Sequence, residues 1–563
     1  MFACVSWAGS KLSPDLASVD PALELDVIVQ YNVSPSEARH ARAAQRGARL
    51  RKRLDEGKAA VYTVRGQDLA GIESDADIDY ISPDRPVRAF LDYAYPTTNA
   101  SIARSYGWTG KGIGVAVIDS GMYAHPDLNG NDLITNIVYS QDFTGKGSTS
   151  DAFGHGTHVG GTLAGNGSVT LSLSGFKNFY GMAPNVNIVN LRVLDANGAG
   201  TDSAVISAID RAIVLKSTHN IRVMNLSLGR PIYESYTTDP LCKAVERAWK
   251  AGIVVVVAAG NHGRNNLSGN NGYGTITSPG NQPLAITVGA FKTMATTTRA
   301  DDVVASYSSK GPTLGDKVVK PDLVAPGNRL VASSATNGTL QLAAPGNYVQ
   351  RSYFMAGLTG TSTFYFRLSG TSMAAPVVSG AAALLLEKTP SLTPDQVKAR
   401  LMKTATKSFP ASSTAVDPVT GQIYISQHDI FTVGAGYLDV WAALNNTDLA
   451  SKTVGAAQSP LAKYDSTTKK VTLVKAGSAI WGSTSGTWSN SAIWGSQILS
   501  GTSAIWGSSA IWGSSTVTGF SAIWGSATPT GSSAIWGSAG TLGTSAIWGS
   551  STLPSSVLLL GEN

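Results

Sequence analysis

Four near-continuous apolar runs in the middle of the chain limit its possible folds more than any other feature. They are IGVAVIDSG (113–121), VNIVNLRVL (186–194), IRVMNLSLG (221–229) and IVVVVAAGN (253–261). Strands that are buried on both faces have this pattern, and amphipathic helical patterns such as 201–219 and 240–252 lie between them. This alternation predicts an α/β domain over residues 94–450, with a mainly parallel central sheet and helices on both faces.

The residues before this domain have a different organisation. Residues 22–93 alternate strand, helix, strand, helix and strand patterns, which predicts a small α/β unit of its own. The Arg-rich stretch 39–58 has helical spacing, and we interpret it as the solvated face of a helix. Because the whole chain carries a net charge of only +6, no nucleic-acid partner is expected.

The end of the sequence is repetitive. SAIWGS occurs seven times between residues 478 and 550, and residues 476–561 contain no Asp, Glu, Lys, Arg or His. We therefore expect a separate Gly/Ser/Trp repeat tail over residues 451–563. The repeat pattern leaves three interpretations open: a low-complexity linker, a stack of short strands or an anchoring surface. The sequence does not indicate a partner for the tail. Since every chemical motif precedes the tail, it is expected to be dispensable for catalysis.

Several function classes are disfavoured by composition. No apolar run of about 18 residues occurs, so no membrane-spanning helix is expected. The two cysteines, Cys4 and Cys242, can form neither a disulfide framework nor a four-cysteine zinc site. Residues 1–21 have an apolar start without a basic leading region, and we interpret them as the remnant of an export signal.

Four polar residues follow strands or precede helices at positions suited to chemistry. Asp119 ends the first apolar run, His155 opens a helical pattern, Asn261 ends a buried strand and Ser372 begins a long apolar helix. Each residue alone is more typical of a cap, a turn or packing. Together they supply an orienting carboxylate, a base, an oxyanion donor and a nucleophile, in the chain order Asp, His, Ser of one known catalytic triad.

At this point six motifs in register resemble the subtilisin-like serine peptidases. They are GIGVAVIDSG, DAFGHGTHVGGTLAG, GMAPNVNIVNLRVL, VMNLSLG, VVVAAGN and GTSMAAP, which together cover roughly residues 105–445. The resemblance implies a three-layer subtilisin-like fold and a serine endopeptidase with Asp119, His155 and Ser372 as its triad. It also implies that Asn261 and the backbone N–H of Ser372 donate hydrogen bonds to the oxyanion.

Two histidines three residues apart, His155 and His158, raise the alternative of a metal site. A catalytic zinc site needs a third ligand and a general base, and no Glu lies between these histidines as it does in the common zinc motif. The resemblance instead makes His155 the base and leaves His158 a structural neighbour.

The resemblance also implies where a peptide substrate binds. Gly198, Ala199 and Gly200 would pair with an extended substrate on one side of the cleft, and Ser227, Leu228 and Gly229 would line the other. Pairing of this kind contacts the substrate backbone, so broad specificity is expected.

A structural calcium ion is the one cofactor that the resemblance leaves open. Asp127 in AHPDL is similar to a calcium ligand of many relatives, but the companion loop lacks the expected ligands. We therefore assign no metal and expect no required cofactor. Residues 336–366 form an insertion whose role the sequence does not indicate.

The flanking segments suggest how the enzyme is made. The position of residues 22–93 resembles that of an inhibitory, ferredoxin-like prosegment, which implies a self-processing zymogen cleaved between Phe90 and Asn99, with the propeptide as intramolecular inhibitor. A secreted or cell-envelope enzyme acting on proteins is expected. The alternative is a surface adhesive or structural protein with an inert peptidase domain.

Overall fold

The protein, described by a computed structural model, divides by its contacts into two units, Met1–Arg88 and Ala89–Asn563. The structure describes residues 11–12, 16, 19–54, 58–83, 93–129, 136–172, 175–265, 270–417, 421–465, 470–474, 557–559 and 561–562. The SAIWGS repeats, Phe90 and Cys4 lie outside the described residues. The division at residues 88 and 89 falls a few residues before the expected boundary at 93 and 94.

The first unit is a four-stranded antiparallel sheet with two helices. Its elements are β1 (Glu24–Tyr31), α1 (Glu37–Gln45), β2 (Arg49–Leu54), β3 (Ala59–Arg65), α2 (Leu69–Glu73) and β4 (Ile78–Pro83), with a 3₁₀ turn at Gly66–Asp68. The strand order is β2-β3-β1-β4, so the unit has the β-α-β-β-α-β arrangement of the ferredoxin-like fold. Alternate residues such as Val27 and Val29 of β1 point into its core.

The second unit is built on an eight-stranded sheet. Its first elements are α3 (Ala94–Thr97), α4 (Ala100–Ser105), β5 (Gly114–Asp119), β6 (Ile137–Asp142), α5 (Gly156–Ala164), α6 (Ser168–Ser172), β7 (Asn187–Arg192), α7 (Asp202–Val214), β8 (Ile221–Leu226), α8 (Pro240–Lys250), β9 (Val254–Ala258), β10 (Ile286–Lys292), β11 (Val303–Val304) and β12 (Leu323–Pro326). The sheet order is β11-β10-β9-β8-β5-β7-β6, with β12 also beside β10. Only the short β11 pairs antiparallel, which confirms the predicted mainly parallel sheet.

The remaining elements pack around this sheet. They are β13 (Leu330–Ser333), α9 (Thr339–Ala343), β14 (Tyr348–Gln350), β15 (Thr361–Leu368), α10 (Thr371–Lys388), α11 (Pro394–Thr404), β16 (Ser412–Val416), β17 (Ile423–Gln427), α12 (Val440–Asn445), β18 (Leu461–Asp465) and β19 (Lys470–Val474). Helices α5 and α10 cover one face of the sheet, and α7 and α8 cover the other. No described helix is both long and apolar enough to cross a bilayer.

The order of the strands determines where chemistry can gather. After β5 the chain adds β6 and β7 on one side, and then adds β8, β9 and β10 on the other. In open parallel sheets, ligands bind beyond the carboxyl ends of the strands where the order changes direction. Asp119, which ends β5, and the residues after β8 and β9 therefore lie at this edge of the sheet.

Part of the expected tail packs into the second unit. The Ser459 hydroxyl donates to Asp322 Oδ1 (2.5 Å), and the Ala457 N–H donates to Asp395 Oδ1 (2.8 Å). Both carboxylates are buried. The expected boundary at residue 450 therefore does not coincide with the edge of the packed unit, because residues beyond it satisfy buried polar groups.

Candidate active site

A buried carboxylate–imidazole pair lies at the carboxyl end of β5. His155 Nδ1 is 2.8 Å from Asp119 Oδ1, and the two residues are 5% and 1% exposed. His155 immediately precedes α5, and the Val159 N–H donates to its carbonyl oxygen. The contact between Nδ1 and the carboxylate fixes the tautomer of the ring, so that Nε2 is left as the proton acceptor.

A second carboxylate supports this pair. Asp151 accepts from the Gly154 N–H (2.7 Å), and it accepts from both the backbone N–H and the hydroxyl of Thr157. The Ser120 hydroxyl lies 2.8 Å from Asp151 Oδ1 and 3.2 Å from Asp119 Oδ1, so it links the two carboxylates. Ser120 and Asp151 stand inside IDSG and DAFGHG, but sequence reasoning assigned them no role.

The two histidines of the DAFGHGTHVGG motif have opposite pKa shifts. Burial lowers the pKa of His155, but the charge of Asp119 and its hydrogen bond outweigh burial, so the net pKa lies above the ordinary value. Burial lowers the pKa of His158 to about 3. His158 Nε2 lies 3.0 Å and 3.1 Å from the carbonyl oxygens of Leu330 and Phe366. His158 is therefore a neutral residue that ties α5 to the neighbouring strands.

Ser372 is the second residue of α10 and is 2% exposed. Its hydroxyl donates to the Ser227 carbonyl oxygen (3.1 Å), and the Ser227 hydroxyl donates to the Ser372 carbonyl oxygen (2.7 Å). Asn225 Nδ2 donates to Ser227 Oγ, and Asn225 Oδ1 accepts from Ser379 on the next turns of α10. This network holds the start of α10 against the end of β8.

Asn261 is oriented by the residue before the serine. Its Oδ1 accepts from the Thr371 N–H (2.9 Å) and from the Thr371 hydroxyl (3.1 Å). Because a backbone N–H can only donate, this contact identifies Oδ1 and leaves Nδ2 as the free donor end of the amide. Gly370 has φ 142°, and a Cβ there would lie 3.0 Å from Asn261 Nδ2. Only glycine therefore fits between the nucleophile loop and this amide.

The loops expected to bind substrate lie at the same edge of the sheet. Ala199 uses both of its backbone groups on Asp195: its carbonyl accepts from the Asp195 N–H (2.8 Å), and its N–H donates to Oδ1 (3.0 Å). The Gly198 N–H is used within the same turn, since it donates to the Asp195 carbonyl (3.1 Å). The expected pairing of Gly198, Ala199 and Gly200 with an extended substrate stays a prediction.

On the other side of the cleft, Ser227, Leu228 and Gly229 are all buried. Leu228 is part of the hydrophobic core. Ser227 contacts Ser372 through both its carbonyl and its hydroxyl. The expected role of residues 227–229 in lining a substrate cleft stays a prediction.

The insertion over residues 336–366 contacts the loop that carries His155. At α9, Thr339 N–H donates to the Ala152 carbonyl (3.0 Å) and Leu340 N–H donates to the Phe153 carbonyl (3.0 Å). The Thr339 hydroxyl also donates to the Ala196 carbonyl (2.7 Å), two residues before Gly198. The insertion therefore supports the loop before His155 and the loop before Gly198, which the sequence did not indicate.

Asp127 does not have the environment of a calcium ligand. Its Oδ2 accepts from the Tyr365 hydroxyl (2.7 Å), and its Oδ1 accepts from the Val169 N–H (2.8 Å) and lies 3.3 Å from the Ser168 hydroxyl. Both carboxylate oxygens of Asp127 are thus occupied by hydrogen-bond donors. A calcium ion would instead need further oxygen ligands near the carboxylate. Within the described part of the chain, no three His, Cys, Asp or Glu residues cluster as metal ligands would.

Known proteins are similar to this chain over the part that contains the candidate site. The subtilase family profile matches residues 110–422. The serine protease AprX of Bacillus subtilis (strain 168) is 36% identical over 373 residues, which cover 65% of this chain and 78% of that protein. Subtilisin DY of Bacillus licheniformis is 34% identical over 56% of this chain and 92% of that protein. A crystal structure of a cold adapted subtilisin-like serine proteinase aligns at 31% identity over 54% of this chain and 85% of that one, with a TM-score of 0.38.

Proposed function

The chain belongs to the subtilase family and is a subtilisin-like serine endopeptidase; on this premise we propose that Asp119, His155 and Ser372 form its catalytic triad. The observation that carries the assignment is the buried contact of 2.8 Å between His155 Nδ1 and Asp119 Oδ1. A serine hydroxyl is a weak nucleophile at neutral pH and needs an adjacent base, which this oriented imidazole supplies.

The first chemical step follows from these groups. In this step the Ser372 hydroxyl leaves the Ser227 carbonyl, to which it donates in this structure, and donates to His155 Nε2 instead. His155 then takes the proton while Ser372 Oγ attacks the scissile carbonyl carbon, and Asp119 stabilises the imidazolium that forms. The negative charge that develops on the carbonyl oxygen is met by Asn261 Nδ2 and by the Ser372 N–H at the start of α10.

The second step regenerates the enzyme. The imidazolium gives its proton to the leaving amine, and an acyl-enzyme on Ser372 remains. Water, deprotonated by His155, then attacks the ester carbonyl. The bond between the carbonyl carbon and Ser372 Oγ breaks, the imidazolium returns its proton to Oγ, and the new carboxyl terminus is released. Because the segment Gly198, Ala199 and Gly200 would pair with substrate backbone, we propose broad specificity for extended segments of protein substrates.

Ser372→Ala is the direct test. The variant should lose hydrolysis of unfolded casein by about four orders of magnitude or more while it keeps the wild-type circular dichroism spectrum. The wild-type chain should be labelled at Ser372 by an organophosphonate probe. A wild-type chain that is not labelled would favour the alternative, an adhesive or structural protein with an inert peptidase domain.

We further propose that the enzyme is exported and made as a zymogen. The support is the separate, ferredoxin-like first unit, which stands before the peptidase unit as an inhibitory prosegment would. If processing is autocatalytic, the Ser372→Ala chain should accumulate with residues 22–93 still attached, and the separated segment should inhibit the mature enzyme. Normal processing of that variant in a protease-free host would contradict this proposal.

A further inference from the structure

The last described residues of the chain lie against the peptidase unit. Val557 and Glu562 are 4% and 3% exposed, and the Gly561 N–H donates to the Val557 carbonyl (3.0 Å). We call residues 557–559 and 561–562 the C-terminal clip. The repeats occupy the chain between β19 and the clip, so they connect two points of the same unit.

The clip is held by a buried carboxylate. Glu562 Oε1 lies 2.8 Å from Arg264 Nη2 and accepts from the Ser306 N–H (2.8 Å), and Oε2 lies 3.2 Å from Lys292 Nζ. A carboxylate in such a place is tolerated only when cations and N–H groups surround it. The contact is therefore specific for an acidic side chain.

The backbone of the clip is recognised as well. Asn328 Nδ2 donates to the Glu562 carbonyl, and the Glu562 N–H donates to Asn328 Oδ1, both at 2.8 Å. Gly561 has φ 64°, and a Cβ there would lie 2.3 Å from Ser369 Oγ. A side chain at residue 561 would push the clip away from Ser369.

One side of the clip contacts the loop that carries the nucleophile. Ser369 lies three residues before Ser372, and its N–H donates to the Leu558 carbonyl (2.9 Å). On the same loop, the Gly370 N–H donates to the Gly327 carbonyl (2.7 Å), and Gly327 precedes the Asn328 that holds Glu562. The clip thus holds the loop directly at Ser369, and Gly327, which holds Gly370, is covalently joined to the Asn328 that binds Glu562.

The other side of the clip contacts the segment that carries the oxyanion donor. Arg264, which pairs with Glu562, follows Asn261 by three residues. Ser306 accepts a hydrogen bond from Arg264 Nε (2.7 Å), and its own N–H donates to Glu562. The clip thus joins the Asn261 segment to the Ser372 segment.

We propose that the C-terminal clip acts as an intramolecular ligand that positions the nucleophile and the oxyanion donor relative to each other. The inference rests on the proposed roles of Ser372 and Asn261. Its consequence is that the peptidase becomes fully competent only when the chain beyond the repeats has been made and has docked. This proposal replaces the expectation that all of residues 451–563 are dispensable for catalysis. The clip residues are positioning residues, since they act on catalysis through the two loops.

The test compares the full chain with a chain that ends at residue 556, after removal of the first unit from both. We expect acylation by an organophosphonate to be at least roughly tenfold slower in the shorter chain, because small misplacements of reacting groups lower rates steeply. A synthetic peptide of residues 554–563, added at about 1 mM to match the effective concentration of a tethered segment, should restore the rate. The same peptide with Glu562→Gln should restore it far less.

Full-length variants keep the test decisive if the shorter chain does not fold. Glu562→Gln in the full chain should lower kcat for a small peptide ester with little change in KM, because the clip does not touch substrate. Glu246→Gln, the same change in an exposed ion pair of α8, is the matched control. Equal kcat in Glu562→Gln and wild type, equal acylation of the long and short chains, or a folded short chain that no peptide rescues would overturn the inference. If even the full wild-type chain resists acylation, the proposed triad fails instead.

Discussion

The orientation of Asn261 by Thr371 leads to a quantitative prediction for Thr371→Val. The Thr371 hydroxyl donates to Asn261 Oδ1 (3.1 Å) and accepts from the Gly260 N–H (3.1 Å), and valine has the same shape without these bonds. Losing one hydrogen bond and leaving one buried N–H unsatisfied should lower the free energy of unfolding by about 2–4 kcal/mol.

The catalytic effect should be smaller than that of removing the amide. Loss of a whole oxyanion donor costs about 2.7–4 kcal/mol of transition-state stabilisation, a magnitude established on a subtilisin rather than worked out for this chain. In Thr371→Val the backbone N–H still holds Asn261 Oδ1. We therefore expect a loss of about 1–2 kcal/mol, roughly 5- to 30-fold in kcat, with KM nearly unchanged.

The assay is steady-state hydrolysis of a peptide ester by wild type, Thr371→Val, Thr371→Ser, Asn261→Ala and the double variant Asn261→Ala/Thr371→Val. Thr371→Ser keeps the hydroxyl and is the matched control, so its kcat should stay close to that of wild type. Since Thr371 acts through Asn261, Thr371→Val should have little further effect on kcat once the amide is gone. The reasoning is refuted if Thr371→Val lowers kcat by the same factor in both backgrounds, or if it leaves kcat unchanged.

Three other predictions concern charge and stability. The pKa of His155 lies above its ordinary value of 6.5, and its neutral form is the base. A plot of kcat/KM against pH should therefore rise, and the midpoint of the rise should lie above pH 6.5. Asp119→Asn should lower that midpoint and reduce kcat by about 10⁴-fold. Asp322→Asn leaves two fully buried lysines without their carboxylate. Chemical denaturation should therefore show a loss of about 3–5 kcal/mol in the free energy of unfolding. The loss should be larger at pH 6 than at pH 9, because the buried lysines lose their protons more readily at the higher pH. Tyr365→Phe should lower the thermal midpoint because Asp127 loses a donor, and calcium at millimolar concentration should not restore it; restoration would mean that Asp127 binds the ion after all.

More of the fold than of the site could be predicted from the sequence. Strands such as Val254–Ala258 are buried at every position, and burial on both faces leaves a parallel sheet between helix layers as the fitting arrangement. The position of Asp119 at a strand end followed from the same pattern. Local sequence was sufficient here because hydrophobic periodicity and chain order act over short distances.

Other features depend on contacts between residues that are far apart in the chain. Asp151 and Ser120 are 31 residues apart, and nothing in either motif alone indicates that they share a hydrogen bond. The insertion at Thr339 looked unrelated to the base, yet its helix binds the loop before His155. Ser459 was expected in a separate tail, and it satisfies a buried carboxylate of the peptidase unit.

By itself, the sequence determined the class of fold, the separate first unit and the four residues Asp119, His155, Asn261 and Ser372 as candidates for one site. Only the tertiary structure decided that Asp127 is surrounded by hydrogen-bond donors, that Thr371 orients Asn261, and that Glu562 is buried beside the nucleophile loop. The physical reason is that a buried polar group must find partners wherever the fold brings them, and no local pattern in the chain records which distant residue will supply the donor or the charge.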